Sequence, residues 1–378
     1  LNWPLGRGRF PLGPLPLPFF VLINLVEGKI MDIMIILQIV VLLGAIYIGV
    51  RLGGIGIGYA GGAGVLVLGL CLGMKPGNIP WDVIMIIGSV IAAISAMQLA
   101  GGLQYLVYIA EKILYKNPKY INYLAPIVTY VLTIFAGTGH TAFSMIPVIV
   151  EVAKGENIRP SVPLSMSVVS SQIAITASPV SAAAIFMTGA LEPFGWSYPT
   201  LLGIWLLTTF VGCMLTAFIM THISKLDLSE DPIYQERLKE GLVKPPVGLQ
   251  EMVITPTAKL SVWIFLAGVL CVVAYASAIS PAVGLIKPVV VPRDAAIISL
   301  MLAVGALITI FCKIKLGDVA GTSVFKSGMV ACICVLGVAW LGDTFVSGHT
   351  KEIKDFASQT ISQYPALLAI VFFLASML

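Results

Sequence analysis

Two short stretches, each inside sequence otherwise free of charge, carry groups that could do chemistry. The first is Ala136-Gly137-Thr138-Gly139-His140-Thr141, in the charge-free run 120–150. The second, Ser170 to Ser181, is rich in hydroxyls and broken by Pro179, in the run 160–191. Glycine and proline interrupt helices. An interrupted helix exposes unpaired N–H groups at the positive end of a half-helix dipole, which suits an anion. Non-helical backbone at membrane depth is tolerated only where it is buried in protein or lines a polar cavity. The expected contacts for a carboxylate are Gly137, Thr138, Gly139, His140, Thr141, Thr176, Ser178, Pro179 and Ser181. Small and hydroxylated residues also serve close helix packing, which is the competing use of each motif alone. Together the two motifs favour a binding site, with hydroxyls fixing orientation.

Charge compensation or coupling is expected from Arg51, Lys326 and Asp343. Arg51 lies at a turn between two apolar segments, where it serves either as a positive-inside anchor or as the rim of an anion vestibule; Lys326 has the same two readings. Asp343, in Ala339-Trp340-Leu341-Gly342-Asp343-Thr344, closes an apolar run of 16 residues, too short to span. It reads either as an interfacial loop residue or as a buried group paired with a base or carrying a proton. His140 could hold a carboxylate or move a proton, and with no second histidine near it no metal site is expected. Gly56-Ile-Gly-Tyr-Ala-Gly61 matches a dinucleotide fingerprint in letters alone, without strand or βαβ context. Gly54, Gly58 and Gly62 instead predict a flat helix face for packing. No P-loop, H-E-x-x-H or G-x-S-x-G pattern is present. No enzyme activity and no cofactor are therefore expected.

The elements that must position these residues are membrane helices. Of 378 residues, 58% are hydrophobic and 11% charged, with mean hydropathy +1.00. A soluble domain carries roughly 25% charged residues, so a soluble enzyme and a disordered chain are both excluded. The net charge of +4 implies no nucleic-acid surface. Six cysteines, all within apolar runs, read as small buried hydrophobes. Ten charge-free runs of 16 to 32 residues hold 248 of the 378 residues. The fold class is all-α, a polytopic membrane protein of about ten hydrophobic segments, expected as two inverted repeats with broken or re-entrant helices. The polar segment 225–259 carries 11 of the 40 Asp, Glu, Lys and Arg residues. It is expected to be a cytoplasmic linker between a first repeat, 31–224, and an incomplete second repeat, 260–378. Residues 1–30 contain Pro11, Pro14, Pro16 and Pro18 and are expected to be a non-native extension, with Met31 the natural start. Leu378 closes an apolar run without a polar flank, so the protein is expected to continue.

Lys and Arg placement sets orientation. With the start of 33–50 outside, 12 Lys/Arg fall in the cytoplasm against eight outside from Lys29 onward. The count requires an even number of crossings between Lys119 and Lys225. That region holds three runs, so one of them must enter and return.

Several stretches carry a family resemblance. They include Arg51-Leu-Gly-Gly-Ile-Gly-Ile-Gly58, Lys75-Pro-Gly-Asn-Ile79, Ile91-Ala-Ala-Ile-Ser-Ala-Met97, Phe135-Ala-Gly-Thr-Gly139, Thr176-Ala-Ser-Pro179, Asp231-Pro-Ile-Tyr234 and Leu336-Gly-Val-Ala-Trp-Leu-Gly-Asp-Thr-Phe345. Residues 31–378 resemble the Dcu family of anaerobic four-carbon dicarboxylate transporters, and most closely its A-type branch. The resemblance implies a multi-pass protein of the bacterial inner membrane that takes up or exchanges fumarate, malate and aspartate against succinate. It implies dicarboxylates and the lipid bilayer as partners; a proton or sodium as coupling ion and a homo-oligomer are compatible with it. A second reading is a membrane co-sensor, or assembly partner, of a dicarboxylate-responsive signalling kinase.

Overall fold

A computed structural model describes residues 33–137, 139, 144–224, 227–241, 254–281 and 283–353. Among these the secondary structure is helical: α1 Ile33–Leu52, α2 Gly56–Leu70, α3 Trp81–Leu99, α4 Gly102–Lys116, α5 Ile121–Ala136, α6 Ile146–Gly155, α7 Ser161–Ala174, α8 Ala182–Leu191, α9 Tyr198–Ile223, α10 Pro232–Lys239, α11 Pro256–Ala278, α12 Arg293–Cys312 and α13 Ser323–Gly348. Among the described residues, seven helices are long and apolar enough to cross a bilayer: α1, α3, α5 with its preceding turn Pro118–Tyr120, α9, α11, α12 and α13. The protein is an all-α polytopic membrane protein. The chain packs as two units, one holding 33–79 and 333–353, the other 80–332, with the division inside α13.

In the smaller unit α2 lies against α13 through glycine. A Cβ on Gly58 would overlap the Ile333 carbonyl, and one on Gly61 would fall 2.5 Å from Gly337 O and 2.9 Å from Val338 N. The tight ridge is therefore Gly58–Gly61–Gly64, spaced by three. Gly54 precedes the helix and Gly62 faces open space, so the expected 54/58/62 face is corrected. Helix α13 runs unbroken through Asp343, where the sequence suggested a run too short to span. Three bonds to the extended segment after α2 satisfy its polar groups: Asn78 N–H donates to Asp343 Oδ2 (2.6 Å), Gly77 N–H to Thr344 Oγ1 (3.0 Å), and Trp340 Nε1–H to Gly77 O (3.0 Å).

In the larger unit, α3, α11 and α12 share a core of Ile86, Val90, Ile94, Met97, Phe265, Val269, Met301 and Val304. Helices α5 and α7 form a second layer, and their register is fixed by polar contacts. Ser170 Oγ donates to Pro126 O (2.9 Å), Ser178 Oγ donates to Ile134 O (2.6 Å), and Tyr130 packs beside Ala174. Each pair is 44 residues apart, so the two helices run parallel. A chain that leaves α5 and starts α7 parallel to it must return in between, through α6. The run 120–150 therefore enters and returns.

The return is anchored on the linker side. Ile158 bridges Asp227, Leu228 N–H donates to Asn157 O (2.9 Å), and Arg159 pairs with Asp231 at 3.0 Å. Lys154 and Arg159 thus lie on the same side as the linker. Asp231 also caps α10, accepting from Ile233 N–H and Tyr234 N–H. The Asp227 carboxylate accepts from Ser229 Oγ–H (2.6 Å), Ser229 N–H (2.9 Å) and Asn157 Nδ2–H (2.7 Å). The Ser229 hydroxyl, its amide and then Asn157 hold this carboxyl below its ordinary value. A depressed carboxylate pKa contributes stability that is full above the unfolded value of about 3.9 and is lost as pH falls through the folded one. Hydrogen exchange of residues 227–231 is accordingly expected to accelerate, beyond its intrinsic pH dependence, as pH drops below about 4. In Asp227→Asn the segment should exchange faster at neutral pH and lose that extra acid dependence.

Candidate functional site

The two sequence motifs meet in the larger unit. Helix α5 ends at Gly137, whose φ of +66° closes the helix in the left-handed region that glycine adopts without strain. Its N–H donates to Thr133 O at 2.8 Å. A Cβ on Gly137 would lie 3.1 Å from Val180 Cγ2 and 3.3 Å from Val180 O, so this turn rests directly on the interruption of the second motif. That interruption is Ile175–Ser181, between α7 and α8. Proline at 179 has no N–H to continue the ladder. Ser181, in extended geometry, caps the new helix by accepting from Ala184 N–H at 3.1 Å.

The serines of the break are buried, and their hydroxyls act within the protein. Ser178 Oγ–H donates to Ile134 O and receives Val180 N–H at 3.4 Å; Ser181 Oγ–H donates to Ser178 O at 3.2 Å. They pin the interrupted backbone to α5. With Ala184 N–H taken by Ser181 Oγ and Ile185 N–H by Ser181 O, the amides of Ala182 and Ala183 are the first-turn donors of α8 without a partner in that turn. Thr176 is exposed and its hydroxyl donates to Ile173 O at 2.8 Å. Thr138, His140 and Thr141 lie outside the described residues. Gly137 marks the C-terminus of α5. Among the described residues of this region, the N-terminal, positive helix end is that of α8.

A polar chain that the sequence did not reveal supports the break from behind. Tyr198, wholly buried at the start of α9, donates its hydroxyl to Pro179 O at 3.2 Å. The Arg293 guanidinium lies 5.4 Å from the Tyr198 ring centroid and pairs with Glu192 at 2.7 Å, its side chain only 10% exposed. These contacts join residues 19 to 101 positions apart, and no local pattern announces them. Gln172 lies within the second motif but not among the expected contacts. It is the one amide side chain in the run 160–191, which was signal enough to single it out. Among the described residues Arg51 and Lys326 are exposed and form no ion pair; Arg51 and Asp343 belong to the smaller unit and Lys326 to the larger. Among the described residues no cluster of His, Cys, Asp and Glu could hold a metal.

A helix that ends beside the break in a parallel neighbour, inside a multi-pass α-helical membrane protein, is a feature that recurs in secondary carriers. The comparison with known proteins gives the family. The profile of the anaerobic C4-dicarboxylate membrane transporters matches residues 34–378, and the chain belongs to that family. The protein named C4-dicarboxylate transporter DcuA from Helicobacter pylori is 63% identical over 341 residues, covering 90% of this chain and 77% of the relative. Its namesake from Wolinella succinogenes is 61% identical over 345 residues, covering 91% and 79%. The protein named anaerobic C4-dicarboxylate transporter DcuB from Escherichia coli is 35% identical over 353 residues, covering 90% and 78%. No solved structure matches the chain.

Proposed function

We propose that the chain is a secondary transporter of four-carbon dicarboxylates (fumarate, malate, aspartate and succinate) in the bacterial inner membrane, working by exchange. Membership of a transporter family supports transport over enzymatic activity and over the kinase-partner reading. The observation that carries the site is the contact between the Gly137 turn and Val180 in the α7–α8 break. The substrate's carboxylate meets the N-terminal amides of α8, where the helix dipole favours negative charge by typically 0.3–1 kcal/mol, more when partly buried. Thr138, Gly139, His140 and Thr141 supply further donors, and Thr176 lies just beyond the C-terminal end of α7. The carbonyl end of α5 suits a cation, either the coupling proton or sodium. Arg51, Lys326 and Asp343 act on charge balance or coupling.

Two inverted repeats, 31–224 and 260–378, joined by the cytoplasmic segment 225–259, would alternate access to this site. Exchange follows where the empty site, its donors unneutralised, reorients slowly. Counterflow in proteoliposomes tests the proposal. Vesicles loaded with succinate should accumulate labelled fumarate transiently above equilibrium, and vesicles without internal dicarboxylate should not. Equal uptake by loaded and unloaded vesicles would reject exchange, and no uptake by either would reject transport.

A further inference from the structure

Helix α7 presents one polar group at membrane depth that the break does not use. Its depth follows from packing: Ala174 and Ala177 share a buried cluster with Tyr130 and Cys213, with Phe210 against it. Helix α9 spans Tyr198–Ile223, so Phe210 and Cys213 stand at the middle of a 26-residue span. Gln172, two residues before Ala174, is level with that middle. Val169, Gln172, Ile173 and Thr176 follow the i, i+3, i+4, i+7 spacing of one helix face, and all four are exposed.

The face is mixed in character. Thr176 satisfies its hydroxyl on its own helix, which a carboxamide of this length does not do. Among the described residues, Gln172 makes no side-chain hydrogen bond. The amide packs against Gly139, where a Cβ would overlap Gln172 Nε2 and lie 2.9 Å from Cδ and 3.1 Å from Oε1, so a side chain at 139 would displace it. An unpartnered amide turned toward hydrocarbon is strongly disfavoured, so this face borders water or a ligand.

From this we infer that Gln172 contacts the substrate and sets its specificity. Its Nε2–H donates to a carboxylate of the bound dicarboxylate, while Val169 and Ile173 on the same face accept the apolar carbons. A neutral donor orients a dianion without binding it too tightly to release. The inference rests on the transport reading above.

The test is exchange in proteoliposomes at pH 7.5, measuring KM for fumarate and for aspartate. Gln172→Glu keeps the shape but replaces the donor with a carboxylate that only accepts. It repels fumarate and can pair with the ammonium of aspartate. The KM for fumarate should rise at least tenfold, and the ratio of fumarate KM to aspartate KM should rise at least tenfold with it. Gln172→Met, similar in size and without the amide, should raise both values three- to tenfold and leave the ratio within twofold of wild type. The ratio does not depend on how much of a variant folds. An unchanged ratio in Gln172→Glu overturns the inference, as does an unchanged KM in Gln172→Met where the first variant cannot be recovered. Wild-type protein that exchanges neither substrate would bring down the transport reading itself, and this inference with it.

Discussion

Gly137→Ala is expected to reduce fumarate counterflow at least tenfold at matched protein in the vesicles. Two costs coincide at this position. The backbone φ of +66° is left-handed, which costs an alanine roughly 1–2 kcal/mol. The new methyl would also stand 3.1 Å from Val180 Cγ2 and 3.3 Å from Val180 O. Valine's methyl could turn aside, but its carbonyl belongs to the backbone of the break. Relief therefore comes from shifting the α5 end away from α8, which is the geometry the site requires. A loss of about 1.4 kcal/mol in the competent arrangement is a tenfold loss in its population. Gly203→Ala is the matching control, since a Cβ there meets nothing within 4 Å, and it should transport like wild type. Equal activity of the two variants would mean that the Gly137 turn plays no part in transport.

Gly337→Ala should act on stability. A Cβ at 337 would overlap the Gly58 carbonyl oxygen and fall 2.7 Å from both Gly58 C and Gly58 Cα. No flexible side chain stands there to yield, so α2 and α13 must separate along the Gly58–Gly61–Gly64 ridge. Overpacking of an ordinary core costs about 1–3 kcal/mol, and prying two backbones apart belongs at the upper end. The melting temperature in detergent should drop by roughly 3–5 °C on the scaling of soluble domains to a chain of this length. Gly62→Ala, on the open side of α2, should leave it unchanged. The reverse ranking would show that the ridge faces elsewhere.

Much of this architecture is written locally in the chain. Charge-free runs longer than a bilayer announce helices, and Gly137 and Pro179 announce where two of them stop. The parity of positive charges demanded a returning segment between Lys119 and Lys225; the parallel register of α5 and α7 identifies it as the run 120–150. Phase and distance were harder to read. The glycines of α2 repeat by four in the sequence, yet the ridge against α13 uses a spacing of three, because the partner's path selects the face. Asp343 looked like the end of a span, since a charge in hydrocarbon is costly. Its helix continues, and the Asn78 amide donates to the carboxylate from another segment. Tyr198, which props the Pro179 carbonyl, could not be foreseen, for a bond across 19 residues leaves no periodic trace.

The most direct trial is chemical labelling of a single cysteine at position 176, on the exposed rim of the break, in a background whose six native cysteines are replaced. Saturating fumarate should slow maleimide modification of Thr176→Cys at least fivefold, while a dicarboxylate that fails to exchange should leave the rate alone. Identical labelling rates with and without fumarate, in vesicles that still perform counterflow, would place the substrate elsewhere and refute the assignment of these interrupted helices as its seat.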